Sequence, residues 1–216
     1  MGNPLVGRGV RVEVSKTEAV AKTVSAVTQA SPAVATSTAH ALSDGAVGYM
    51  NGVTGMVNLE GQAVRVNAPS TNDFQLEGIN TTSFPAFTAG TFVPVTAWAT
   101  LSRAASYAIG GGDADKLDTT TLIDNIKQEA NGLLAAQTVS INLKLETTDE
   151  EALQLVNAAA LSQAYLVFRI TFTDGSMRIF RGQSSMPGED VGQGALATGS
   201  FNVTVKGQVL RLGPVS

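Results

Sequence analysis

Period-two alternation dominates the second half of this chain. From Thr138 to Leu145, the side chains of Val139, Ile141, Leu143 and Leu145 fall on one face, with Ser140, Asn142 and Lys144 on the other. Successive side chains of a strand point to opposite sides, so the pattern predicts a strand with one buried face. Tyr165 to Phe172 repeats it through Leu166, Phe168, Ile170 and Phe172. Thr173-Asp174-Gly175-Ser176 follows, and then a second run from Met177 to Arg181. Asp-Gly between two such runs predicts a hairpin, because glycine accepts the positive φ of a tight turn. Phe201, Val203 and Val205 mark a closing strand that continues toward Val209.

One segment has a different period. Ala152, Leu153, Val156, Ala159 and Ala160 recur at helical spacing, which predicts a helix from Asp149 to Leu161. Thr148 is placed to cap it, with Glu151 three residues on to close a capping box. Asp149, Glu150 and Glu151 suit the positive end of the helix dipole, which accounts for all three without catalysis.

The first half is more broken. Arg11 to Val14 reads as a short strand after a glycine-rich arm, Gly2 to Gly9, which is extended and mobile unless something pins it. Residues 24–95 are rich in Thr, Ser, Gly, Asn and Pro, with turn signals at Ser43-Asp44-Gly45, Asn51-Gly52, Glu60-Gly61 and Glu77-Gly78. That spacing predicts a small antiparallel β module, with Val64, Val66, Phe74 and Leu76 facing its core. The expected fold is mostly β: two packed antiparallel sheets, sandwich- or barrel-like, with one flanking α-helix and a small β insertion. Residues 1–23 and 96–216 form the sandwich domain with its N-terminal arm, and residues 24–95 form the insertion.

Composition narrows the function. Hydrophobic residues make up 44% and charged residues 15%, which leaves a surface of hydroxyls and amides. Such groups cost less to desolvate than ions, so the surface suits packing against neighbours. The net charge is −4 and the pI about 5.0, and the densest basic stretch, Arg169, Arg178 and Arg181, spreads over two strands. A protein that grips nucleic acid needs a basic patch, so strong direct binding of DNA or RNA is not expected. A surface that lets DNA slide past is also neutral or acidic, and composition does not separate the two cases. The chain has no cysteine, which removes disulfides, thiolate metal sites and cysteine nucleophiles and favours a reducing compartment. No apolar run is long enough to span a membrane, and the N-terminus lacks the pattern of a signal peptide. Met1-Gly2-Asn3 opens like a myristoylation site, but Val6 stands where Ser or Thr is required.

No catalytic constellation emerges. His40 is the only histidine, no Gly-x-Ser-x-Gly elbow accompanies it, and its place before Ser43-Asp44-Gly45 predicts a hydrogen bonder that stabilises the turn. Asp113, Asp115 and Asp118 after Gly110-Gly111-Gly112 have the look of a calcium loop, but lack its bend glycine and bidentate Glu. A solvated loop is the expected reading. The triple glycine is not followed by Gly-Lys-Ser/Thr, so it is no phosphate cradle. Trp98, Phe84 and Phe87 could line a pocket, but packing is the default for aromatics. No catalytic, cofactor-binding or metal-binding residues are expected, and the chain is not expected to be an enzyme.

Two stretches resemble known proteins. Thr38-Ala39-His40-Ala41-Leu42-Ser43-Asp44-Gly45, Gly52-Val53-Thr54-Gly55-Met56, Leu59-Glu60-Gly61, Asn72-Asp73-Phe74-Gln75-Leu76 and Asn80-Thr81-Thr82 follow in order. Together they resemble a small β module that recurs in bacteriophage tail proteins (His-x-Leu-x-Asp-Gly, Gly-Met, Phe-x-Leu), with Ala46-Val47-Gly48 as a departure after Asp-Gly. The second runs from Leu117-Asp118-Thr119-Thr120-Thr121-Leu122 through Asn131-Gly132-Leu133 to the strand from Thr138. The capped helix, the strand ending Phe172-Thr173-Asp174-Gly175 and the closing strand to Gly207 complete it. This resembles the tail tube protein of long-tailed, non-contractile phages, with Asn131 where that family has proline. The order of the motifs, which spans nearly the whole chain, carries the resemblance; each motif alone is weak.

The resemblance implies a structural virion protein, made in the host bacterial cytoplasm. Hexameric rings would stack into a hollow tail tube, with sheets of neighbouring subunits joined into an inner barrel. DNA would pass through without specific binding, after the tape measure protein has vacated the lumen. Tail terminator and tail tip proteins would cap the ends, and no membrane is involved. The arm of residues 1–9 and the loop Gly110 to Asp124 are expected to order only between subunits. The module at 24–95 is expected on the outside. Competing readings are another ring-forming tail component (a terminator or baseplate hub), a carbohydrate- or ligand-binding β-sandwich, and a hydrolase using Asp113, Asp115 or Asp118.

Overall fold

The computed structural model describes residues 8–146, 148 and 150–215. In chain order the strands are β1 (Arg11–Glu18), β2 (Lys22–Val24), β3 (Ala26–Val27), β4 (Ala33–Thr36), β5 (Val47–Thr54), β6 (Ala63–Asn67), β7 (Asp73–Leu76), β8 (Ala89–Thr100), β9 (Ala104–Gly111), β10 (Ala114–Asp118), β11 (Glu129–Leu134), β12 (Gln137–Lys144), β13 (Tyr165–Thr171), β14 (Met177–Ser184), β15 (Gly188–Asp190) and β16 (Thr198–Leu212). The one α-helix among the described residues, α1 (Glu151–Ser162), lies between β12 and β13. The protein is mostly β, with one large curled antiparallel sheet in the order β3-β4-β7-β6-β5-β8-β1-β13-β14-β16-β12-β9. β2 joins beside β8 and β15 beside β16, while β10 and β11 form a separate two-stranded ribbon.

The curl follows from one long strand. β16 pairs with β12 through Thr198–Thr204 and with β14 through Val203–Leu212, so it belongs to two layers. Between those layers lies a core that joins Val139, Ile141, Leu143 and Phe201 to Val12, Val14, Phe168 and Ile170, with Ala152, Leu153 and Val156 of α1 against it. The alternation read from the sequence is the pattern of this core. Leu145 packs at its margin, just past the end of β12. The expected hairpin joins β13 to β14, with Gly175 at φ 82° and the Asp174 carboxylate accepting bonds from the Ser176 amide and hydroxyl.

The helix is where expected, but its start differs. The N-cap is Glu150, and no side chain caps the helix, so the Thr148–Glu151 capping box does not form. The N-cap falls two residues after Thr148, so Thr148 stands outside the first turn. The Glu150 carboxylate instead accepts from the Ser102 amide (3.0 Å) and hydroxyl (2.5 Å), which ties the helix start to the turn after β8. Asp149 lies outside the described residues, as does the arm at residues 1–7.

A second core belongs to the first half of the chain. Val64, Val66, Phe74 and Leu76 are all inaccessible, as expected, and Phe74 packs against both His40 and Phe92. This core also takes in Val167, Ile179, Leu210 and Leu212, so residues 24–95 rest against β13, β14 and β16. β8 runs unbroken through residue 95, pairing with β2 and β5 by its first half and with β1 by its second. Polar ties reinforce the contact. Arg65, almost fully buried, makes a bidentate pair with Glu77 (2.5 and 2.6 Å) and donates to the Gly213 carbonyl (2.8 Å). Gln62 exchanges two hydrogen bonds with the backbone of Gln208. One expected turn is corrected: Asn51-Gly52 lies inside β5. The positive φ of Gly52 is absorbed by a bulge against β8 between Asn51 and Thr54, so the strand continues where a turn was expected.

Candidate assembly surface

The residues first considered for chemistry take structural places. His40 is buried, its Nδ1 accepts from the Leu42 amide (3.0 Å), and its ring meets Phe74 edge-on, so it holds the turn it precedes. Trp98, Phe84 and Phe87 pack against the first-half core. The three arginines are each engaged. Arg169 pairs with Glu13 (2.6 Å) and stacks on Trp98, and Arg178 lies over Phe172. Arg181 lies over both Tyr49 and Tyr165. They make no basic stripe on the surface. Burial, and then the hydrogen bond to Glu18, push the Tyr49 hydroxyl up to about 12.

Asp113, Asp115 and Asp118 are not on a featureless loop. The expected loop from Gly110 to Asp124 contains β10, paired with β11 through Lys116↔Asn131, Leu117↔Ala130 and Asp118↔Glu129. Local bonds shape this ribbon. Asp118 accepts from the Thr120 amide (2.9 Å), Asp124 from the Thr121 amide and hydroxyl, and Lys116 donates to Asn131 (2.5 Å). Those bonds to threonine hold both carboxyls below the usual carboxylate range.

The ribbon also carries a run of uncovered apolar side chains. Leu117, Leu122, Ile123, Ile126, Leu133 and Leu134 are all exposed, with Leu122 and Ile123 at 108% and 90%. None of them joins either core. A lone two-stranded ribbon is marginal in water, and an apolar patch on a protruding element marks a contact surface.

The base of the ribbon is a sheet with open sides. In the stretch β15-β16-β12-β9, β9 has β12 as its only strand neighbour and β15 has only β16, among the described residues. Each therefore presents unpaired backbone groups, which isolated proteins ordinarily shield. One face of this sheet lies on the sandwich core. The other carries short uncharged side chains in register: Ser106 opposite Asn142 opposite Ser200, and Ala108 opposite Ser140 opposite Asn202. They satisfy one another, Ser140 donating to Asn202 (2.6 Å) and Asn142 to Ser106 (2.9 Å). Charge appears at one end, where Lys144, Thr198 and Asp190 align. The pattern was visible in the sequence as the polar half of the Thr138–Leu145 alternation. The edges were not, because pairing partners cannot be read from one strand.

Open edges, a neutral polar sheet face and an apolar arm without a core define a structural, assembly-forming β protein. The comparison with known families agrees: the model of the phage tail tube protein matches residues 54–213, most of the chain. The chain belongs to the phage tail tube protein family. As a member it is a component of the virion that assembles with itself and with other tail components. No curated protein matches the chain. No helix among the described residues is long and apolar enough to cross a membrane.

Proposed function

We propose that this protein forms hexameric rings that stack into the hollow phage tail tube, through which DNA is delivered to the host. The observation that carries the reading is the sheet β15-β16-β12-β9, which has an unpaired strand at each side and a neutral polar face turned away from its core. Joining β9 of one copy to the β15 side of the next would close six sheets into a barrel. Its lining would be hydroxyls and amides that offer DNA neither counterion release nor strong repulsion. The ribbon β10–β11 would cross to a neighbour and become ordered there, and the module at residues 24–95 would sit on the outside. The protein acts by geometry and is not an enzyme. The tape measure protein occupies the lumen before ejection, terminator and tip proteins close the ends, and the subunits are made in the host cytoplasm.

Negative-stain electron microscopy of the purified protein at high concentration tests this. Hollow filaments with six-fold end views are expected. Single rings that never stack would indicate a terminator or hub instead. Dispersed subunits at every concentration would count against self-assembly into a tube.

A further inference from the structure

The ribbon needs a receiving surface, and the chain carries one that matches it. At the start of β9 the sandwich core is open: Val10, Val12, Ala104, Ala105, Ser106 and Tyr107 line a cleft of about 240 Å³ with no charged side chain. Val10, Ala104 and Tyr107 pack on the core from its rim and remain partly exposed. The Tyr107 ring lies edge-on to Phe172, so the cleft floor is continuous with the apolar interior. An apolar cavity of roughly 150 Å³ is enough to hold benzene, so this cleft has room for one or two branched aliphatic side chains.

The tip of the ribbon supplies such side chains. Leu122, Ile123 and Ile126 are all exposed there, on the connection between β10 and β11. The chain's own tip leaves them uncovered, so it does not fill the chain's own cleft.

We infer that the ribbon tip of one copy, through Leu122, Ile123 and Ile126, docks in the Val10–Tyr107 cleft at the core mouth of the next copy. Tip and cleft are different surfaces, so the contact is heterologous: each docked copy leaves one tip and one cleft free, and assembly has a direction. The inference rests on the self-assembly reading above and adds the receiving site to it.

The chain has no cysteine, so single introduced thiols report without background. Ile123→Cys protein and Ala105→Cys protein are mixed, brought to assembly concentration and oxidised, then run on a non-reducing gel. A 123–105 heterodimer is expected, absent when either variant is oxidised alone, and lost when the Ile123→Cys chain also carries Leu122→Asp and Ile126→Asp. Hollow filaments in the same sample without the heterodimer overturn the cleft assignment and leave the tube reading standing. A heterodimer without filaments supports the docking and counts against the tube. Neither heterodimer nor filaments at any concentration overturns both. A cysteine pair at Asn3 and Ala105 that closes within one chain, with no 123–105 bond, gives the cleft to the N-terminal arm and overturns the inference.

Discussion

Residues 24–95 and the ribbon at residues 114–134 are both β structure, and they are stable for opposite reasons. The first region buries Phe74, Leu76, Val64 and Met50 completely and ties Arg65 to both Glu77 and the Gly213 carbonyl just past β16. The second holds itself by turn bonds at Thr120 and Thr121 and exposes six large aliphatic side chains. Burial of apolar surface is the main stabilising term in folding, so the first region is complete within one chain. The ribbon has the same kind of side chains but no interior of its own, and in the proposed assembly a neighbouring copy would cover them. On that proposal the same residue types would serve folding in one place and assembly in the other.

Substitutions should separate the two. Phe74→Ala removes a ring packed between His40 and Phe92, and it should cost about 3–5 kcal/mol in denaturant unfolding. Leu122→Asp with Ile123→Asp should leave subunit stability within about 0.5 kcal/mol, since neither residue is buried, while filaments are lost by sedimentation and microscopy. If the ribbon pair unfolds the subunit as Phe74→Ala does, the distinction fails. Arg65→Met is the next largest effect. It leaves the Glu77 carboxylate, which is partly exposed, without its partner and releases the Gly213 carbonyl, for roughly 2 kcal/mol. Hydrogen exchange should rise in β6, β7 and the end of β16 and stay unchanged in the ribbon.

Two smaller effects depend on pH. Tyr49, raised to about 12, favours the folded state with its proton on. Its contribution is full below about pH 10, the unfolded value, and is lost as pH rises through 12. A tyrosinate absorbance titration should show one late step that Tyr49→Phe removes. Asp118 and Asp124 run the other way. Their lowered pKa values mean that their bonds to Thr120 and Thr121 are intact above the unfolded carboxylate value and are lost as pH falls through the folded one. Because both are fully exposed, acid should loosen the ribbon turns, seen as faster exchange at 119–128, without unfolding the cores.

The legibility of the sequence follows the same division. Val139, Ile141, Leu143, Phe168 and Ile170 announce a core because each alternates against one interior, and the Asp174-Gly175 hairpin announces its own turn. The buried faces of β6 and β7 were readable from Val64, Val66, Phe74 and Leu76 for the same reason. β10 and β11 were not, since Leu117, Leu122, Ile123 and Ile126 face no interior of this chain and so show no period. β15 was missed because Gly188-Glu189-Asp190 has no buried face at all. Asn51-Gly52 misled because a bulge and a turn use the same positive φ. Of the assembly surface, the polar residues could be seen beforehand and the free edges could not.

Hydrogen exchange measured on dispersed subunits and on assembled filaments tests the central claim most directly. Residues 114–134 and the outer edge of β9 should gain strong protection on assembly, while the interior strands of residues 24–95 should exchange equally slowly in both states. Equal protection of the ribbon before and after assembly would contradict the account.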